Sequence, residues 1–237
     1  MAADHTRLGA ALLPDDGNVG SALRADFDAF VALQAHMAAT AAQWRGCGSY
    51  LIGPDSLGYE PCMYAKQRLL FERAAALPPG SEALEVGVHG GHSALIMLLA
   101  NPTLRLTAID VCVWAHTEPC VAELNRRFGG RVQLIRATGE AGMRALAEAG
   151  ASAGRFALLH IDGDHRIESI MGDARASLPL ARPGATYVFD DYDASVAAVL
   201  DRLGAWDVDA IPDCRWRNCV ATLRLPLDGP KGASGIL

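Results

Sequence analysis

Two groups of residues in this chain have types and spacings that could do chemistry. The first is Glu85-x-Gly87-x-x-x-Gly91-x-Ser93. Glycines between a strand and a helix let the backbone turn sharply and approach a ligand closely. The spacing differs from the G-x-G-x-x-G that faces a pyrophosphate, and the acidic Glu85 suits a cationic ligand instead. Asp110 closes the next apolar run, where a carboxylate can accept hydrogen bonds from both ribose hydroxyls of an adenosine. Thr138 follows the third run, placed to border an adenine ring. The second group is acidic: His160-Ile161-Asp162-Gly163-Asp164-His165 and Asp190-Asp191-Tyr192-Asp193. If their strands are neighbours, Asp162, Asp190 and Asp191 converge, and like charges so close need neutralising. A divalent cation does this, and hard carboxylate oxygens fit Mg²⁺, with Mn²⁺ or Ca²⁺ as substitutes.

The elements that must position these groups follow from periodicity. From Glu82 onward, short apolar runs (83–88, 106–110, 132–136, 156–161, 186–189) alternate with helical stretches starting near His92, Pro119, Glu140, Ile167 and Ala194. That alternation demands a parallel sheet with helices on both faces. Two further strands are expected near 206–211 and 220–225, and a turn at Arg182-Pro183-Gly184. Upstream, Ser21 could cap an amphipathic helix over 21–45, and a second helix over 63–77 ends at Pro78-Pro79-Gly80. The expected division is a helical extension or lid over 1–60, an α/β domain over 61–227 and a loose tail over 228–237.

Composition narrows the partners. With 51% hydrophobic and 20% charged residues the chain is globular, and its longest apolar run, near 94–100, is too short to cross a bilayer. The formal net charge of −6 and the lack of a basic stripe argue against nucleic acid and for a small-molecule substrate. The first residues lack the basic and apolar regions of a secretory signal, so a cytoplasmic location is expected. The six cysteines include no Cys-x-x-Cys pair and read as reduced thiols. Apolar surface on the N-terminal helices offers a route to a homodimer.

On these motifs the sequence resembles the class I S-adenosylmethionine-dependent methyltransferases, with residues 85–93 matching their first motif and Asp110 their second, over roughly residues 60–225. The resemblance implies a Rossmann-like seven-stranded sheet whose last strand is antiparallel. It also implies cofactor roles for Glu85, Gly87, Gly91 and Asp110, with Ser93 inside the same motif. The acidic segments look like those of the metal-dependent O-methyltransferases, of the catechol type and more closely of the bacterial type that methylates sugar hydroxyls. In that resemblance Asp162, Asp190 and Asp191 align with the metal ligands, and His165 falls where the family keeps its general base. Asp190 stands where some relatives carry Glu. Asp162 is expected at the cofactor border as well, and a carboxylate at the same strand end also occurs in metal-free methyltransferases, which is the alternative to a metal role for it. The expected activity is methyl transfer to a sugar or phenol hydroxyl, assisted by Mg²⁺ or another divalent cation.

Other readings stand beside this one. Glu85 and Asp110 could cap helices or satisfy loop amides, although both close adjacent strands. Asp164 and Asp193 could cap the helices that follow them, and His165 could be a surface residue. His89, His92 and His160 read as structural or lid-facing, and Tyr59, Tyr64, Trp114 and Tyr192 as pocket or packing residues. A metal-independent methyltransferase of the same fold is the nearest alternative function. A haloacid dehalogenase-like phosphatase explains Asp162-x-Asp164 but not the glycine turn, and a nicotinamide dehydrogenase explains Asp110 but not Glu85. A non-catalytic binding protein of this fold is a further alternative.

Overall fold

The computed structural model describes residues 69–150, 153–203, 206–210 and 219–223. The expected extension or lid over 1–60 with its helix over 21–45, the loop over 46–61, the first six residues of the helix over 63–77 and the tail over 228–237 lie outside the described residues, and residues 69–75 are helical as expected. What is described is an alternating α/β chain: β1 (Glu82–Val86), α1 (His92–Ala100), β2 (Arg105–Asp110), α2 (Thr117–Phe128), β3 (Val132–Arg136) and α3 (Gly139–Glu148). It continues with β4 (Phe156–Ile161), α4 (Ile167–Ser177), β5 (Ala181–Phe189), α5 (Ala194–Leu203), β6 (Trp206–Ala210) and β7 (Cys219–Leu223). The sheet runs β3-β2-β1-β4-β5-β7-β6. Strands β1 to β5 pair in parallel, and β7 is antiparallel to both of its neighbours.

Strand residues alternate between two apolar layers, as the period of two requires. Ala83, Leu106, Ala108, Leu158 and Val188 pack with α1 and α2 on one face. Leu84, Val86, Ile109, Leu159, Ile161, Tyr187 and Phe189 pack with α3, α4 and α5 on the other. Helix α1 is apolar nearly all round (HSALIMLLA), and only Ala100 of its nine residues is not buried. Its stabilisation comes from this burial, at about 0.8 kcal/mol per buried methylene, rather than from an amphipathic stripe.

Most expected element bounds hold within two residues, and the start of β5 differs. The Arg182-Pro183-Gly184 turn does not precede the strand but lies inside it. Phe156 pairs with Ala181 and Leu158 with Thr186, so the β5 side makes a larger excursion than its partner. Gly184, at φ 74°, supplies the left-handed residue that this excursion needs.

Candidate functional site

The same alternation that builds the layers carries polar residues to one edge of the sheet. On the α1/α2 face, Ala83 is followed two positions on by Glu85, Leu158 by His160 and then Asp162, and Val188 by Asp190. Glu85 lies opposite His160 in the β1–β4 register, and Ile161 opposite Phe189 in the β4–β5 register. Hydrogen bonding continues one residue past each strand end: Gly87 N–H donates to Ile109 O (2.9 Å), Asp162 N–H to Val86 O (2.9 Å) and Asp190 N–H to Ile161 O (3.0 Å). The tips that carry the chemistry are therefore held by the ladder itself.

In the glycine turn, Gly87 takes φ 86° and Gly91 φ 77°. A Cβ on Gly87 would meet the backbone carbonyl oxygen of Asp162 at 1.9 Å, so only glycine fits there. The close approach expected of this residue is made by the β4 loop. Glu85 is fully buried; its Oε1 accepts from Ser93 Oγ and lies 3.1 Å from Nδ1 of the equally buried His160. Its Oε2 is buried with no hydrogen-bond partner among the described residues.

Asp110 closes over the same turn. Its Oδ2 accepts from the amides of Val88 (2.8 Å) and His89 (2.9 Å), and its Oδ1 from the amide of Cys112 (2.6 Å). The loop-amide reading of this residue thus describes part of what it does. An ionised carboxylate has about four acceptor positions; with two taken on Oδ2 and one on Oδ1, a single position on Oδ1 is left for a ribose hydroxyl, rather than one for each of the two hydroxyls. Thr138 is the N-cap of α3, its Oγ1 accepting from Ala141 N–H at 3.4 Å. Beside it, Asp173 of α4 is pushed up to about 6 by burial. The site of a Cβ on Gly139 lies 2.3 Å from its Oδ1, and that on Gly163 3.5 Å from its Oδ2, so one acid braces both loops.

The acidic residues divide into two kinds. Asp193 caps α5, its Oδ1 accepting from Ser195 N–H (2.8 Å) and Val196 N–H (3.1 Å). Asp164 accepts from Arg166 Nε (2.6 Å) and Ser169 Oγ (2.9 Å), and these partners, Arg166 first, hold its carboxyl down at about 2. These two serve local structure. Asp162 and Asp190 instead come together, and one oxygen from each lies within 4.8 Å of the other and of a ring nitrogen of His160. Asp191 is not in that group; it takes φ 48° and places Oδ2 3.9 Å from His165 Nε2. His165 Nε2 is also 3.9 Å from Asp162 Oδ1, and the ring is half exposed.

Sequence reasoning set His160 aside as structural, yet the structure places it between Glu85 and the paired aspartates. The signal was the i, i+2 spacing of His160 and Asp162 on a strand, which puts both on one face. It also missed the ring cluster beside the turn. His89 packs edge-on against Trp114 (5.8 Å between centroids) and His116 (4.6 Å), with His116 Nε2 3.3 Å from His89 Nε2. Burial, with His116 next, pushes His89 down to about 4, and burial, with His89 next, pushes His92 down to about 3. These imidazoles are therefore neutral walls at neutral pH, in keeping with a structural role.

A sheet in this order, with a glycine turn after β1 and carboxylates at the tips of β2, β4 and β5, defines the Rossmann-like class I architecture of the S-adenosylmethionine-dependent methyltransferases. Residues 84–192 match the family described as "Methyltransferase domain". No curated protein matches the sequence. Among solved structures the chain is similar to an O-methyltransferase from Bacillus cereus in complex with SAH, at 13% identity and TM-score 0.62, covering 92% of this chain and 96% of that one. A cofactor-bound protein from MTB gives 20% identity and TM-score 0.61 over 92% and 95% of the two chains. A proposed O-methyltransferase from Klebsiella pneumoniae gives 20% and 0.60 over 93% and 96%. No helix among the described residues is long and apolar enough to cross a membrane.

Proposed function

We propose that this methyltransferase transfers a methyl group from S-adenosylmethionine to a hydroxyl of a small molecule, a sugar or a phenol, with a divalent cation in the site. The cofactor would be held by Glu85, Gly87, Gly91, Ser93 and Asp110, with Thr138 and Asp162 at its border. The buried, unpartnered Oε2 of Glu85 fits this assignment, because a buried carboxylate oxygen needs a donor or a positive charge and the cofactor offers both. The cation would be held by Asp162 and Asp190, with Asp191 on the solvent side. When bound it supplies positive charge that acidifies the acceptor hydroxyl.

The remaining work falls to the chain's own side chains. His165 stands at the exposed mouth and takes the hydroxyl proton at Nε2, with Asp162 and Asp191 3.9 Å away to stabilise the imidazolium that forms. The acceptor oxygen then bonds to the methyl carbon while the carbon–sulfur bond breaks, leaving a neutral thioether and a protonated His165. Because the sulfonium methyl is already electrophilic, rigid positioning by the tied strand tips is the main contribution.

The observation that carries this reading is the convergence of Asp162, Asp190, Asp191 and His165 from the loops after two adjacent strands. The test is methyl transfer from isotopically labelled S-adenosylmethionine to a panel of sugars, catechols and other vicinal diols, with and without EDTA. Transfer abolished by EDTA and restored by a divalent cation is the expected result. Full activity in EDTA selects the metal-independent methyltransferase instead.

A further inference from the structure

We infer that His160 is a direct nitrogen ligand of the cation, so that the site is an Asp162–Asp190–His160 centre with Glu85 as the outer partner of the histidine. This rests on the metal-assisted reading above and changes its ligand set. One ring nitrogen of His160 and one carboxylate oxygen each of Asp162 and Asp190 lie within 4.8 Å of one another. A cation with bonds of about 2.0–2.2 Å draws its ligand atoms to about 3.0 Å when adjacent and about 4.2 Å when opposite, so small side-chain rotations close the group.

The orientation of the imidazole is already fixed. Its Nδ1 lies 3.1 Å from Glu85 Oε1, a carboxylate oxygen that also accepts from Ser93 Oγ. Since a carboxylate can only accept, Nδ1 carries the proton and the ring presents Nε2 as its ligand atom. Metal-bound histidines nearly always donate their other N–H to such a carboxylate, which sets the tautomer and raises the basicity of the ligating nitrogen. Glu85 and His160 are both fully buried and face each other in the β1–β4 register, so the pair is built into the sheet rather than formed by a loop.

The donor set has a consequence for the metal. Two carboxylates alone suit Mg²⁺, whereas an imidazole favours a first-row cation such as Mn²⁺, Fe²⁺, Co²⁺ or Zn²⁺. Asp191, outside the group of three and near His165, is then left to position the base.

The experiment uses the full chain with Mn²⁺ and reads the nitrogen hyperfine coupling of the bound ion by pulsed electron paramagnetic resonance, in ¹⁴N-histidine and ¹⁵N-histidine protein. The expected result is coupling to one imidazole in the wild type that shifts with the isotope, survives in His165→Gln and disappears in His160→Gln. Glu85→Gln should weaken Mn²⁺ binding about 10- to 100-fold while retaining the coupling. Because the wild-type spectrum decides the matter by itself, a poorly folding His160→Gln does not protect the inference. Bound Mn²⁺ without nitrogen coupling, or coupling lost in His165→Gln instead, overturns the histidine ligand and leaves the metal-assisted reading standing. Absence of Mn²⁺ binding to the wild type removes both.

Discussion

The two halves of the sheet edge handle negative charge in opposite ways. On the β1–β2 side, Asp110 is wrapped by three backbone amides and Glu85 by a hydroxyl and an imidazole, so the chain itself supplies most of the donors. On the β4–β5 side, Asp162 and Asp190 approach each other, and the imidazole of His165 stands 3.9 Å from Asp162 and from Asp191. The first half is a preformed cradle that needs a ligand only to fill it. The second is a concentration of like charge that a cation would relieve, and this is where chemistry rather than binding is expected to respond to mutation.

Substitutions can break that contrast. Asp190→Ala should lower kcat/KM for methyl transfer by more than about 10³-fold while cofactor affinity, read by calorimetry, stays nearly unchanged. A comparable loss of cofactor affinity would merge the two halves into one site. His165→Ala should lower kcat about 10²-fold with a smaller change in KM, as for a group acting in the transition state; unchanged turnover removes His165 from the mechanism. Gly87→Ala tests the seam between the halves, since the new Cβ meets Asp162 O and the residue sits at φ 86°. It should cost about 2–3 kcal/mol in denaturant unfolding, and a neutral effect would mean that the two loops part easily.

The smallest effect concerns the brace behind both loops. Asp173, raised to about 6 from 3.8, holds its proton more tightly folded than unfolded. Its contribution to stability is therefore present at about pH 4 and is lost as pH rises through about 6. Asp173→Asn should remove that slope from a series of unfolding curves, on the order of 1–2 kcal/mol between those limits. An identical pH profile in the variant would show that Asp173 does not carry the slope.

Much of this was legible in the sequence because it rests on short-range rules. The strand–glycine–helix order around Gly87, the acid at the end of β2 and the acidic ends of β4 and β5 are all local patterns that the fold keeps. What escaped depends on neighbours far apart in the chain. Sequence reasoning sets Asp164 and Asp193 apart as caps and brings Asp162 and Asp190 together, but it groups Asp191 with that pair, whereas Asp191 stands beside His165 and outside the group that His160 joins. The start of β5 was misplaced because Pro183-Gly184 reads as a turn, and it is one, inside a paired strand. His160 was undervalued because its partner Glu85 stands 75 residues earlier and becomes a neighbour only through strand register.

That register has a bearing on folding as well as on catalysis. Along β4, His160 and Asp162 alternate with Leu159 and Ile161, and the two sets face different layers. A slip of one residue in the pairing of this strand would drive an imidazole and a carboxylate into hydrocarbon and bring two aliphatic chains to the mouth. The polar column thus acts as a registration mark for the central strands, disfavouring misaligned sheets before any substrate arrives.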